Sequence, residues 1–529
     1  MAGGDPHEMN EAIAEYPVRL HKLHDASIQF EEYLYCAEIT RGEEKEARGA
    51  YILAPKASLK SRFTGALKFE QSTINTALAQ PILPEESIPD GDKKYPIEKQ
   101  SLQRSNFEVT ESEWKTASRA NTGYQLWQCF LNLDSDRYPL QSYGDVAFRV
   151  FGTWARHCID LFQSIQLLLT VAALVLSNGQ AISQISQNKI CFVVCFIIFM
   201  LAGMILGQIR TLQKSGPIAS CSVFLNLLIT FFTMGVAAHS APNYDVVFKS
   251  YGIPQGPIIK SSGTPAGSTF VNALNGLNQA VYSYAGAQLY LEFMAEMRHP
   301  WDFWKSLICA QSFIYTVYVF FGVFIYSYQG QFSYIVVFQG LSPYAWQTVC
   351  NVLSLISGLI AAVLYGNIGI KVLYINVFED VFGCPPLTKK SGKLIWVALV
   401  PVYWVVAFVL AAAVPQLTSI SNLISALFLL QFTYTFPPIL YLGMFIKRDA
   451  ILPDERFDPA TGRFDRHDNG WRRWARGFAK QWPLNTWNTF FALGAVTTAV
   501  LGAYSAIIEL ISALEGTSVA TSFGCVSPV

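Results

Sequence analysis

Along this chain the apolar positions gather into nine long runs, all after residue 157, while the residues before them are polar and charged. The runs occupy about Cys158 to Asn178, Ile190 to Ile209, Pro217 to Ala238, Ser268 to Met294, Leu307 to Tyr328, Ala345 to Tyr365, Leu394 to Ala413, Leu417 to Ile446 and Thr486 to Ser512. A hydrocarbon core about 30 Å thick takes roughly 20 helical residues to cross, because each advances the chain by about 1.5 Å. None of the runs shows the period-two alternation of a barrel strand, so helices alone can satisfy their backbone groups in lipid. The pattern predicts an all-α, polytopic membrane helical bundle with about nine transmembrane helices over residues 158–512.

Outside the runs the pattern predicts a polar region over residues 1–157 and a short tail over 513–529. The first region mixes charge runs such as GEEKEARG with the proline-rich PILPEESIPDGDKKYP, and reads as a partly disordered tail with a surface helix near Ile28 to Ala47. His239 to Gly267 is rich in Gly, Pro and Ser and suits a solvated loop. Lys447 to Trp482 alternates Trp and Arg in GWRRWARGFAKQW, which fits either a helix lying in the headgroup layer or an ordinary loop with an interfacial anchor. Lysine and arginine crowd alternate loops: Arg149 and Arg156, Arg210 and Lys214, Arg298 and Lys305, Lys371 with Lys389, Lys390 and Lys393, and the whole Lys447 to Trp482 segment. The intervening loops hold only Lys189, Lys249 and Lys260. Basic loops stay on the cytoplasmic side, so the N-terminal region is expected in the cytoplasm and the C-terminus outside.

Composition adds exclusions. A chain 52% hydrophobic and 14% charged is neither an ordinary soluble domain nor a disordered one, and a formal net charge of zero offers nothing to nucleic acid. The ten cysteines lack CxxC or Cys/His ligand spacing, so they are expected as reduced, mostly buried thiols with no metal or disulfide role. No P-loop, GxSxG, HExxH or Rossmann glycine pattern is present, so neither an enzyme nor a cofactor is indicated.

Ionisable residues inside a span are expensive and point to function. Glu292 is the leading one, in YSYAGAQLYLEFMAEM, with Glu296 one turn on. It suits a proton acceptor, a partner for a cation, or a structural hydrogen bond between helices. Ser283, Tyr284, Ala285 and Gly286, with Gln288 just beyond, combine small and polar residues where a helix can loosen and offer backbone groups to a ligand; close helix packing is the alternative. The Pro437–Pro438 pair must disturb the helix ladder near Thr433 and Tyr434, and Gly203 to Gly207 has the GxxxG spacing of close packing within the bundle. Asp160 and Glu509 lie near helix ends, where water is in reach, and read as structural.

Three segments carry a resemblance: GYQLWQ followed by SYGDVAFRVFG, the run YSYAGAQLYLEFMAEMRHPWDFWKSL, and GNIGIKVLY. With FEEYLYCAEITRGEEKEA near the start, they resemble the amino acid/auxin permease family, in particular its fungal neutral amino acid permease branch. The resemblance implies two inverted five-helix repeats, an amino acid substrate bound at mid-membrane, and symport with a proton. It puts Ser283, Tyr284, Ala285, Gly286 and Gln288 beside substrate and Glu292 at an acidic, proton-coupling position. The residues ahead of GYQLWQ cannot span lipid, so the first family helix and most of the second are expected to be absent, leaving an incomplete first repeat and a helix remnant near 120–133. A mis-assigned exon boundary and a truncated product both explain that. The expected function is therefore a proton-coupled carrier of neutral amino acids in the plasma membrane rather than the vacuolar one. The alternative is a non-transporting sensor or an inactive truncated permease. Oligomeric state and the particular amino acid stay open.

Overall fold

The computed structural model describes residues 24–53, 122–209, 216–261, 268–297, 299–379, 382–385, 387, 389–414, 416–455, 457–458, 463–515 and 522–527. The proline-rich stretch, the residues just ahead of GYQLWQ, and the loop cations Arg210, Lys214 and Arg298 lie outside the described residues. The described chain is an all-α membrane bundle. Its elements are α1 (Phe30–Leu53), α2 (Thr122–Leu133), α3 (Tyr143–Phe151), α4 (Thr153–Ile185), α5 (Phe192–Leu206), α6 (Gly216–His239), α7 (Tyr244–Tyr251), α8 (Phe270–Ser283), α9 (Tyr290–Glu296), α10 (Phe303–Gln329), α11 (Tyr344–Leu373), α12 (Lys390–Ala413), α13 (Leu417–Ile424), α14 (Phe436–Asp449), α15 (Trp471–Lys480) and α16 (Trp482–Glu515). A two-stranded ribbon pairs Phe457 with Phe464.

Seven helices among the described residues are long and apolar enough to cross a membrane, where the sequence predicts nine spans. Two runs account for the difference. The second gives only the 15-residue α5, and the fourth is interrupted: α8 ends at Ser283 and α9 begins at Tyr290, with a single 3-10 turn over Ala287–Leu289 between them. Mean hydropathy over a window registers greasiness but not helix continuity, so a broken span and a whole one look alike in it.

The 33-residue α4 is the mast of the bundle, packing against α3, α5, α11, α12 and α13. Near its start Asp160 is only 2% exposed, which corrects the expectation that it reaches water. Helix α3 covers it. A Cβ at Gly144 of α3 would sit 2.0 Å from Asp160 Oδ1, so glycine there is what permits the cover. Gly203 of α5 works in the same way, its missing Cβ leaving room for the fully buried Trp404 ring of α12. The GxxxG spacing thus serves packing inside the bundle. The eighth run is one span but not uniformly wound: α13 passes into π turns at Ser425–Leu429 and Gln431–Thr435 before α14 resumes with Pro437 and Pro438 in its first turn. Prolines lacking amide protons are accommodated there because the turns ahead of them are widened.

Arg149, Lys447, Arg466 and Arg473 gather around α1 at one end of the bundle. Phe30, Tyr33 and Ala37 of α1 are buried, and Phe30 and Tyr33 share one core with Trp127, Tyr143 and Tyr441. The helix is therefore docked rather than lying free on a surface. Charge holds it as well. Glu31 accepts from Arg466 at 2.5 Å and Arg473 at 3.4 Å, the Tyr138 hydroxyl donates to Glu32 at 2.6 Å, and Arg41 donates to Asp134 at 2.6 Å. Arg473 of α15 also donates to Glu455 at 2.7 Å, where the backbone N–H groups of Leu452 and His467 donate too. Burial works against the charge of Glu455, yet these donors together hold its carboxyl below the usual range. Asp145, which caps α3 in a capping box with Ser142, is likewise buried and held low by His24, the Gln141 N–H and Arg149. His24 Nε2 stands 2.6 Å from its Oδ1.

At the opposite end the structure corrects the reading of the cysteines. Cys191, just before α5, is bonded to Cys525 in the C-terminal tail, 334 residues away. The tail is folded back onto the bundle: Phe192 N–H donates to the Cys525 carbonyl and Phe523 N–H to that of Ala412. Spacing in sequence carries no information about a pair so far apart. The same end holds α7, a short helix inside the segment read as a solvated loop, capped by the Asn243 side chain.

Candidate functional site

The interruption between α8 and α9 organises the candidate site. Thr269 caps α8 through its side chain, and the helix runs until Tyr284 leaves the helical region, its N–H still donating to the Ala280 carbonyl. Ser283 donates from its hydroxyl back to the Gln279 carbonyl, the kind of local bond that competes with the helix ladder. Gly286 lies outside the helical region at φ 168° and ψ −14°, and Leu289 N–H donating to the Gly286 carbonyl closes the 3-10 turn that restarts the chain. Non-helical backbone at membrane depth is tolerated only where protein or a cavity surrounds it. Both conditions hold here. The Ala287–Leu289 turn lies against the π turn at Gln431–Thr435, so two irregular stretches face each other.

A cavity of about 390 Å³ lies along the break, lined by Ser283, Tyr284, Ala285, Gly286 and Tyr290 on one side and Ser306, Gln311 and Tyr318 of α10 on the other. Gln311 donates from its amide to the Tyr290 hydroxyl at 2.8 Å, and the Tyr284 and Tyr318 rings meet edge to face at 5.5 Å. A second cavity of about 490 Å³ opens between α8, the Gln431–Thr435 region and α16, lined by Ala280, Tyr284, Tyr434 and Thr498. Tyr284 borders both.

The predicted site residues thus fall into two groups. Ser283, Tyr284, Ala285 and Gly286 line the first cavity, whereas Gln288 and Glu292 line neither and are tied to α4 by the Gln288 backbone carbonyl and the Glu292 carboxyl. There Gln163 Nε2 donates to Glu292 Oε1 at 2.7 Å and to the backbone carbonyl of Gln288 at 3.1 Å. One amide therefore ties the acid and the carbonyl freed by the break to the mast of the bundle. Glu292 Oε2, Gln288 Oε1, Gln163 Oε1 and both polar atoms of Gln166 are shielded from solvent with no partner among the described residues. Such a group of unsatisfied polar atoms in a membrane bundle is costly unless water, a proton or a solute visits it. Glu296, one turn on, is exposed.

Sequence reasoning missed Gln163 and Gln166. Their signal is present: two glutamines three residues apart in CIDLFQSIQLLL put amides on one face of a helix that is otherwise apolar. The same reasoning passed over Gln279, Ser421 and Asn422, whose side chains meet one turn before the break. No group of three or more His, Cys, Asp or Glu able to hold a metal occurs among the described residues.

Comparison with known proteins bears on this geometry. Residues 120–451 match the family described as transmembrane amino acid transporter protein, a match that takes in α2 through α14. A transmembrane transporter of Fusarium pseudograminearum is 24% identical over 305 residues, covering 57% of this chain and 62% of that protein. A transmembrane transporter of Gibberella moniliformis is 21% identical, covering 56% of this chain and 61% of its own length. The N amino acid transport system protein of Neurospora crassa is 24% identical over 313 residues, covering 56% and 62% respectively. The chain spans about three fifths of the length of the curated relatives it matches.

Proposed function

This chain belongs to the transmembrane amino acid transporter family, and from that premise we propose that it is a secondary carrier moving a neutral amino acid across the membrane together with a proton. The observation that carries the reading is the interrupted helix, with a cavity along its break and a buried carboxyl one turn beyond it. An α-amino acid presents a carboxylate and an ammonium. The N–H groups of Tyr284 and Ala285 are taken by the Ala280 and Tyr282 carbonyls, so the Gly286 N–H and the carbonyls of Tyr284 and Ala285 are the proposed backbone contacts for such charged ends, while Tyr284, Tyr290 and Tyr318 supply a wall for an uncharged side chain. Ser283, Tyr284, Ala285 and Gly286 are the proposed substrate contacts, with Gln288 and Glu292 behind them. Glu292 is the proposed proton carrier, because its free oxygen and its bond to Gln163 link a titratable group to both the break and the mast.

In this reading the basic end of the bundle, with α1 and α15, faces the cytoplasm and the disulfide end faces outward, in a plasma membrane rather than a vacuolar one. The test is uptake of labelled amino acids by the full chain in proteoliposomes under an inward acid gradient. Gradient-driven accumulation of neutral amino acids is the expected result. Glu292→Gln keeps the shape and removes the proton; it should abolish gradient-driven accumulation while leaving exchange of internal for external substrate. Flux no greater than that of empty liposomes would end the carrier reading, and acid stimulation that survives Glu292→Gln would assign that residue to packing.

A further inference from the structure

Glu509 belongs to a polar seam where α8, α13 and α16 meet. The Asn422 amide donates to Glu509 Oε2 at 2.5 Å, and Asn422 Oδ1 accepts from Gln279 Nε2 at 2.7 Å. Gln279 Nε2 also lies 2.7 Å from Ser421 Oγ and 3.4 Å from the Thr418 carbonyl. One helical turn later, the Gln279 carbonyl receives the Ser283 hydroxyl at the edge of the break. A chain of four side chains therefore runs from a carboxyl on α16, through α13, to the last turn before α8 comes apart. Beside it Asn278 donates to the Gly502 carbonyl, and its own Oδ1 is buried without a partner among the described residues.

The seam has a fixed polarity. Thr418 O can only accept, so Gln279 must present Nε2 and not Oε1 toward α13; Asn422 must then present Oδ1 to Gln279 and Nδ2 to Glu509. That last bond is charge-assisted while Glu509 is ionised. Charge-assisted hydrogen bonds are roughly twice as strong as neutral ones. A proton on Glu509 removes that assistance and adds a hydroxyl that must itself find an acceptor, while the oxygen of its partner Asn422 is already engaged by Gln279. Among the described residues no Lys, Arg or His forms an ion pair with Glu509. The titratable group facing it from a neighbouring element is Tyr251 of α7, close enough to feel its charge. Asn422, Gln279 and Ser421, on the two helices packed against it, carry no charge.

We propose that Glu509 is a second proton-accepting site, separate from Glu292, and that protonating it releases the α8 half of the broken helix from α13 and α16. The ionised acid holds α8 closed against its neighbours; the neutral acid lets it go. In the carrier reading this opens the outer half of the pathway when protons are plentiful outside, but the release itself is a property of the seam and is measurable without transport.

The experiment is hydrogen–deuterium exchange on the full chain in nanodiscs at pH 7.5 and pH 5, with rates corrected for intrinsic exchange. Peptides covering residues 270–283 should lose about tenfold in protection on acidification, while the α4 core should not change. Glu509→Gln should remove that difference, and Glu292→Gln should keep it. Gln279→Leu cuts the relay without touching the acid and should remove the difference as well, so the inference stays testable if Glu509→Gln fails to fold. No acid response in the parent protein, or a response that persists in either Glu509→Gln or Gln279→Leu, overturns the proposal. A response lost in Glu292→Gln assigns the titration to the other acid and also overturns it. Absence of uptake with an intact acid response would count against the carrier reading and not against this one.

Discussion

Replacing Arg473 with methionine is the sharpest test of how α1 is held on the bundle. The guanidinium lies between two acids that have almost no solvent, Glu455 with a fully buried side chain and Glu31 with 5% exposure. Removing one member of a buried ion pair costs about 3–5 kcal/mol, because the charge left behind stays buried. The structure places this case at the lower end. Arg466 still reaches Glu31 at 2.5 Å, and two backbone N–H groups still donate to Glu455. A loss of about 3 kcal/mol is therefore expected, roughly a hundredfold in the docked-to-undocked ratio at about 1.4 kcal/mol per tenfold. Exchange protection of residues 30–46 relative to the α4 core measures that ratio. Adding Glu455→Gln to Arg473→Met removes the stranded charge, so more than half of the lost protection should return. The pH dependence follows from the carboxyl being held low in the folded state: its contribution is complete above the unfolded glutamate value near 4.3 and disappears as pH falls through the lower folded value. In Arg473→Met that acid limb should move to higher pH. Protection within threefold of the parent, or purely additive effects of the two substitutions, would refute the argument.

Gln163→Leu removes the donor that serves both Glu292 and the Gln288 carbonyl, and a lost bond to a charged group is worth about 1.5–3 kcal/mol; uptake should fall at least tenfold with the protein still folded, as judged by size-exclusion profile and labelled-substrate flux. Gly203→Val forces an isopropyl group into the Trp404 ring and should cost about 1–3 kcal/mol, read as lower thermal stability in detergent. A membrane-impermeant reductant added to intact cells should expose two thiols, Cys191 and Cys525, to a membrane-impermeant maleimide; labelling only after permeabilisation would reverse the proposed orientation. Cys191→Ser should lower the melting temperature and leave Phe523 and its neighbours open to protease.

The sequence makes the helices of this bundle legible because lipid demands long apolar runs and nothing else produces them. It also exposes the Pro437–Pro438 disturbance and the Gly203 contact, since each follows from the stereochemistry of a single residue type. The break in the fourth run is different. Ser283 to Gly286 are compatible with a kink, a packing face or an opening, and what decides is the π turn of Gln431–Thr435 standing opposite, about 150 residues on. Glu292 is conspicuous in the text, but its partner Gln163 lies 129 residues earlier, and a glutamine in a span has no strong prior use. Docking of α1 is similarly hidden. FEEYLYCAEITRGEEKEA reads as a charged surface helix until Arg466, Arg473 and Asp134 are seen to be the counterparts of its charges. The cysteine pair is hidden for the same reason, since 334 residues separate its members.

That bond between Cys191 and Cys525 has a bearing on biogenesis. The first thiol emerges early and must wait for 334 further residues before its mate exists. It can close only when α16 has been threaded so that the tail returns to the mouth of α5. In the proposed orientation, oxidation of this pair is a chemical record that the final helix went in the right way up. A ladder of oxidised and reduced chains on a gel would count correctly assembled molecules one by one.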